Sequence, residues 1–519
     1  MKRRWKILIV VAVLLGVGML LAMMRHYQLR SATEAYIAQL EAEGEPMDLV
    51  QVLPPPIPPE QNGADLIRQA TAMADADKGL LGTNFYGIQI MKPVVPGKAM
   101  VCWQQPDDKE FNTTNSWPEI ADAIAQNQNS FTLLRQIIGK PHFDFKINYG
   151  AGVADLGISN LLYLPNSKRA TQRLSIATIC DLHDGDTASA MKNLRAMLAI
   201  TKGLKDERLA ISELVRLAIA QNTMFANWEI LQATNLTDGQ LAQLQNDWSN
   251  MDFTESMENA ILMERVIGEI TLTKWRDSGS KLQDYLDSER EAEEKYGMIS
   301  GEKGFLAKVK TDPKIILWRY WWSYPDELRY LQGFQVFINT MRSVQTNGSF
   351  WNALQNQTEK LNELRLTNSD GGPLDFGSDD SNFHWLFSQD VLDFRGVADR
   401  VMRTEAAKRM VITAIALKRY ELKHGNYPPA LNSLVPGLLP AIPLDPVDGQ
   451  PLRYWLKTDG TFLLYSIGPN GKDDGGNPAL EKNAESSGFY WLNTDALDWV
   501  WPQPATPEEI KNFYSHLPK

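Results

Sequence analysis

The stretch Ala170–Gly203, ATQRLSIATICDLHDGDTASAMKNLRAMLAITKG, decides the fold class. Ala170, Leu174, Ala177 and Cys180 recur at the spacing that gathers side chains on one face of an α-helix, and Met191, Leu194, Met197 and Leu198 repeat the pattern after a break at Asp184-Gly185-Asp186. Gly203 stops the second helix. Two amphipathic helices joined by so brief a connection pack antiparallel, as a hairpin. Further along, Ile211, Leu214, Val215 and Ala218 mark a third helix. A fourth opens on Thr237 and Gln240 as a capping box, with Leu236 and Leu241 spaced as a hydrophobic staple and Leu244 and Trp248 on the inward face. The spacing predicts a mainly α protein with a body of stacked helical hairpins.

The turn between the first two helices carries His183, Asp184 and Asp186, an imidazole and two carboxylates close enough to invite a metal. Asp186 also stands where a helix N-cap belongs, ahead of Thr187, and that capping role is the reading adopted. The hairpin is distantly similar to a tetratricopeptide unit, but no repeat of fixed period follows it.

Upstream, Ile7 to Met24 is an uncharged apolar run that spans about 27 Å as a helix, the thickness of a bilayer core. Lys2, Arg3, Arg4 and Lys6 precede it, and Arg25 and Arg30 follow. The stronger positive flank predicts a cytoplasmic N-terminus and an exported body. The competing reading is a cleaved signal peptide with Gly16 and Gly18 at the cleavage site; the apolar residues continue unbroken to Met24, which favours an uncleaved anchor. Residues 1–30 are therefore expected to be a single-pass transmembrane helix in the lipid bilayer. Residues 31–60 begin with a short polar helix and reach Pro54, Pro55, Pro56, Pro58 and Pro59, a stiff spacer expected to hold the body off the membrane.

Residues 61–365 form the expected helical body. Its Gly79–Asn115 part has no clean period and suggests irregular chain with short strands, and the charges between Tyr285 and Lys310 suggest a solvated helical face. Trp318, Tyr320, Trp321, Trp322 and Tyr324 are core-filling residues in the first instance, or an exposed aromatic band for a partner or a membrane interface. Residues 366–395, rich in Gly, Asp and Asn, mark a loop and linker.

Bulk composition limits the function. In 519 residues, 44% are hydrophobic and 22% charged, which excludes a disordered chain. A net charge of -11 and a pI near 5.2 exclude a general nucleic-acid binder, which needs clustered Lys and Arg. Two cysteines cannot build a disulfide framework or a Cys-rich zinc site; a buried apolar thiol at Cys180 and a Cys102–Cys180 bridge both remain open.

The last part, 396–519, reads as a small α+β module. A helix from about Arg400 places Met410, Ala414, Leu417 and Tyr420 on one face and ends at His424 before Gly425. Leu452, Tyr454 and Leu456 alternate, Thr458-Asp459-Gly460 turns the chain, and Phe462 and Leu464 alternate again, so a hairpin follows. The pieces Ala416-Leu417-Lys418-Arg419-Tyr420, His424-Gly425-Asn426-Tyr427-Pro428, Leu444-Asp445-Pro446 and Leu464-Tyr465-Ser466-Ile467-Gly468-Pro469-Asn470-Gly471 with Asp473-Asp474-Gly475-Gly476 resemble, in order and spacing, the globular part of a bacterial type II secretion major pseudopilin. The resemblance implies a bacterial inner-membrane protein with a periplasmic or extracellular body and partners in a secretion or cell-envelope assembly. It also implies calcium: in that family the C-terminal loop commonly holds the ion through oxygens. Asn470, Asp473 and Asp474 match the start of that loop, with Asp498 as a late ligand.

No Gly-x-Ser-x-Gly elbow, Walker loop, dinucleotide fingerprint or His-Glu-x-x-His helix occurs, and the six histidines are scattered. The expected function is a membrane-anchored interaction or scaffold protein. The alternative is an exported hydrolase whose catalytic groups converge only in the fold.

Overall fold

The computed structural model describes residues 2–76, 90–106, 116–152, 161–278, 318–364, 394–480 and 495–515, with isolated positions 280, 282, 366, 388, 391, 492 and 493. The chain is mostly helical, with small sheets. Among the described residues its helices of two turns or more are α1 (Lys2–Ala42), α2 (Ala64–Ala76), α3 (Trp117–Gln126), α4 (Gln128–Gln136), α5 (Tyr163–His183), α6 (Thr187–Gly203), α7 (Ala210–Leu231), α8 (Asp238–Ser249), α9 (Thr254–Asp277), α10 (Ser323–Asn347), α11 (Phe350–Glu363), α12 (Val397–His424) and α13 (Pro507–Ser515). The charged 285–310 stretch and nearly all of the expected 366–395 linker lie outside the described residues.

The hairpin reading is met in detail. The Asp186 side chain accepts from Ser189 N at 3.0 Å and caps α6, and Thr237 and Gln240 close both halves of the capping box on α8. Helices α5, α6 and α7 pack on one another and bury the periodic faces, Leu174, Ala177, Leu194 and Met197 included. Gly425 ends α12 in the left-handed conformation, as a helix stop requires. Cys102 and Cys180 are both buried and unbridged, which removes the disulfide. They lie in different core clusters, with Cys180 in the main core.

Two three-stranded sheets flank the helices. The first joins β1 (Lys92–Val95), β2 (Lys98–Met100) and the late strand β6 (Gln503–Pro504); the second orders β3 (Arg453–Leu456), β4 (Phe462–Ile467) and β5 (Asp498–Val500) antiparallel. β6 runs parallel to β2, pairing Lys98 with Gln503. The 396–519 module is thereby woven into the body. Helix α12 packs on α7 and α8, the Trp228 indole donates to Pro502 O at 2.9 Å, and one hydrophobic core runs from Val52 to Trp501. The boundary at 396 is a boundary of pattern, and among the described residues buried side chains from both sides of it share one core.

The N-terminal segments need a larger correction. α1 is a single 41-residue helix whose second half belongs to the body: Leu40 is buried, Thr33 Oγ1 donates to Tyr324 O at 3.0 Å, and α1 packs along α10. Just past it, buried Glu45 accepts from Arg265 Nη2 at 3.2 Å and Gln335 Nε2 at 3.0 Å, and pairs with Arg342. The 31–60 segment is not a spacer. Proline fixes the local backbone but does not choose what the chain lies on, and buried Val52 together with Arg208, which donates to Val52 O at 2.9 Å, lays the proline run back on the body. Among the described residues no helix is long and apolar enough to cross a membrane; the apolar run of α1 contains positions 7, 8, 11, 12, 15 and 22, whose side chains lie outside those residues.

Candidate functional site

The folded-back prolines wall a cleft of about 430 Å³ whose other side is polar. Pro54, Pro55, Pro56, Ile57 and Pro58 face His142, Lys205, Asp206, Arg208, Asp252 and Glu255 across it. Polar groups converging beside an apolar wall give this cleft the lining of a small-ligand site.

His142 is positioned from two directions. Its carbonyl accepts from Gly63 N at 2.8 Å, and Asn62 bonds both ways with Asp144. Gly63 is required here, since a Cβ would lie 2.5 Å from Lys140 O. The neighbouring Phe143 is wholly buried against Gly203, where any side chain would collide with the ring. The chain after α6 tightens into the 3-10 turn Leu204–Glu207, whose two acids grip this segment. Asp206 Oδ2 meets His142 Nδ1 at 2.9 Å and accepts from Phe143 N at 3.3 Å; Glu207 Oε1 accepts from Phe145 N at 2.7 Å and Oε2 from the Tyr149 hydroxyl at 3.0 Å. Burial pushes the Glu207 carboxyl up to about 7, against the pull of these bonds.

A carboxylate on Nδ1 holds an imidazole in the tautomer whose Nε2 carries the lone pair, the arrangement of a general base. His142 Nε2 has no hydrogen-bond partner among the described residues. Among the described residues that line the cleft, no free hydroxyl or thiol completes a triad. Ser256 lines the cleft, but its hydroxyl is held by Glu213 at 3.1 Å, Arg216 at 2.6 Å and Asp252 O at 2.9 Å. Replacing Arg208 with Ala is expected to release the proline wall, raising hydrogen exchange at residues 49–53 several-fold while the core helices keep their protection; unchanged exchange there would mean Val52 alone holds the segment.

The C-terminal loop does gather the sequence-derived set, in a different role. Asp498 on β5 is buried, its Oδ2 accepting from Gly476 N at 2.8 Å and Asn477 N at 3.0 Å and its Oδ1 from Asp474 N at 3.3 Å. Asp473 Oδ1 accepts from the Tyr465 hydroxyl at 2.8 Å and Gly475 N at 3.0 Å, while its Oδ2 faces Arg453 Nε at 3.4 Å. Asn470 donates to Asp474 Oδ2 at 2.9 Å and accepts from Lys472 N at 2.9 Å. Calcium needs six or more oxygens free to converge, and here most of them already face protein donors beside a guanidinium. The residues do not fit the ion. Among the described residues no group of three or more His, Cys, Asp and Glu is disposed to hold a metal.

What organises this module is a pair that the sequence left unremarked. Arg453 reaches Asp445 at 2.8 Å and Asp448 at 2.5 Å as well as Asp473, and Asp445, wholly buried, also accepts from Ser466 Oγ at 2.7 Å and Ile467 N at 2.8 Å. Burial moves the Asp445 carboxyl up to about 6 in spite of these donors. Arg453→Met is expected to lower the melting temperature by several degrees, the effect of about 1–3 kcal/mol when charged partners are stranded, while calcium added to the native protein leaves it unmoved. A calcium-induced rise abolished by Asp473→Ala would restore the metal reading.

In the turn, Asp186 acts locally and caps α6, while His183 is held by distant chain, its Nδ1 2.8 Å from Trp103 O and its ring stacked on Trp117. No family model, no curated protein and no solved structure matches this chain.

Proposed function

We propose that the chain is a membrane-anchored interaction protein: the start of α1 spans a bilayer, with its N-terminus cytoplasmic, and the body stands outside as a rigid mount for protein partners. The observation that carries this is the surface of α1. Ile9, Leu14, Val17 and Leu20 are all more than half exposed, on a helix whose far half is fixed into the core. An apolar stripe of that length left bare in water needs a cover. Trp5 and Tyr27, exposed at 69% and 72%, bracket it about 33 Å apart, the separation of the two aromatic belts of a bilayer.

The resemblance of the C-terminal module points the partners toward a secretion or pilus-like assembly. The chain is not itself read as a filament subunit, because α12 is committed to its own core: Ala406, Met410, Val411 and Ile415 are wholly buried. Carbonate-resistant membrane association, together with activity of a C-terminal reporter that works only outside the cytoplasm, is the expected result. A reporter active only inside would end the proposal.

The His142–Asp206 pair favours a second reading, an exported hydrolase. Crosslinking in intact cells separates the two. Captured envelope proteins support the mount, whereas an uncrosslinked species with a turnover lost in His142→Ala supports the enzyme.

A further inference from the structure

The aromatic cluster at 318–324 divides its work. Trp318 turns inward, buried, with its indole donating to Asp326 Oδ2 at 2.9 Å. Tyr320 and Trp321, on the same π-helical turn Trp318–Trp322, are 58% and 41% exposed. Core packing accounts for the first ring and not for the other two.

Their level along α1 follows from the packing of α10. Tyr324 meets His26 edge-on at 5.4 Å, its carbonyl takes the Thr33 hydroxyl, and further along Arg342 pairs with Glu45. Low numbers on one helix meet low numbers on the other, so the helices run in the same direction. One turn before Tyr324 lies about 5 Å nearer the N-terminal end of α1. Counted back from His26 and Thr33, that is the level of the stretch from about Ala22 to Leu29, around the point where the apolar run stops. Arg319 beside them donates to the Arg276 carbonyl at 2.8 Å and has no carboxylate partner among the described residues.

We propose that Tyr320 and Trp321, with Arg319, form an interfacial foot that seats the body on the outer headgroup layer of the same bilayer that α1 spans. The proposal rests on the anchor reading. Amphipathic rings are most stable where one edge is apolar and the other wet, and a guanidinium there that is held by a carbonyl but not neutralised by a carboxylate meets lipid phosphate. Continuity with the apolar run selects lipid over a protein partner, since any surface at that height beside a spanning helix already faces headgroups. The consequence is orientation: a body fixed at two points cannot swivel about α1.

The test uses the full chain in vesicles of phosphatidylethanolamine and phosphatidylglycerol. Single cysteines are introduced by Met19→Cys, Tyr320→Cys, Trp321→Cys and, as a remote control, Val50→Cys, and each is labelled with an environment-sensitive fluorophore. Cys102 and Cys180 are buried and do not compete for label. Nitroxide lipids quench by depth. The label at 19 is expected to lose most of its emission to acyl-chain nitroxides, the labels at 320 and 321 to headgroup nitroxides, and the label at 50 almost none. Quenching at 19 without quenching at 320 or 321 overturns the foot and leaves the anchor standing. No quenching at 19 overturns the anchor reading and the foot with it.

Discussion

Arg216→Met is expected to destabilise the protein by about 3–5 kcal/mol, the usual result of stranding the partner of a buried ion pair. Arg216 sits on α7 with no exposed surface, where three helices meet. Its guanidinium donates to Glu213 Oε2 at 2.7 Å, Ser256 Oγ at 2.6 Å, Thr201 O at 2.8 Å and Asp252 O at 3.0 Å, and lies 4.4 Å from the Phe253 ring centroid. Methionine fills much of the volume but satisfies none of these acceptors. Glu213, also wholly buried, would be left a carboxylate without a counter-charge. The double variant Glu213→Leu with Arg216→Met should recover part of the loss, because it removes the stranded charge as well as its partner. Urea unfolding followed by tryptophan fluorescence measures both. A double variant as damaged as the single one would place the loss in the guanidinium's bonds to the Thr201 and Asp252 carbonyls. Asp252 and Ser256 also line the cleft, so the floor of the candidate site is expected to loosen with the core beneath it.

Legibility divides along sequence distance. The helices could be read because capping and periodicity act within one or two turns: Asp186 meets Ser189, Thr237 meets Gln240, and Gly425 ends α12. The β3–β4 hairpin was legible for the same reason, with Leu456 facing Phe462 across its turn. The cleft was not. His142 and Asp206 are 64 residues apart, and nothing near either announces the other. The proline run shows the limit most plainly, since composition set its stiffness while Val52 and Arg208 decided where it lies. The acids of the C-terminal loop lie together, and most of their oxygens face protein donors. An oxygen-rich loop looks the same in sequence whether a cation or a guanidinium balances it, and Arg453, well before the loop, supplied the charge.

Glu229 gives the second large effect, and it depends on pH. This carboxylate is wholly buried on α7, where Oε1 accepts from Met91 N at 2.7 Å and Cys102 N at 3.1 Å. It thereby holds the chain on either side of the β1–β2 hairpin to the helices. Burial raises its pKa to about 7 from an ordinary 4.5, although the backbone donors pull the other way. Between those two values the native state binds more protons than the unfolded chain, so stability is fully present below about pH 4.5 and is lost as pH rises toward 7. The loss reaches roughly 3 kcal/mol, because each tenfold difference in proton affinity between the folded and unfolded chain is worth about 1.4 kcal/mol. Glu207 and Glu264, also raised to about 7 by burial, add slope of the same sign. Glu229→Gln keeps an acceptor oxygen for the backbone and removes the titration. The native protein should therefore lose stability between about pH 5 and 7.5 more steeply than Glu229→Gln, so that its stability relative to the variant falls by up to roughly 3 kcal/mol toward neutrality. Parallel curves would show that the carboxylate does not take up its proton in this range, and that the two backbone donors outweigh its burial.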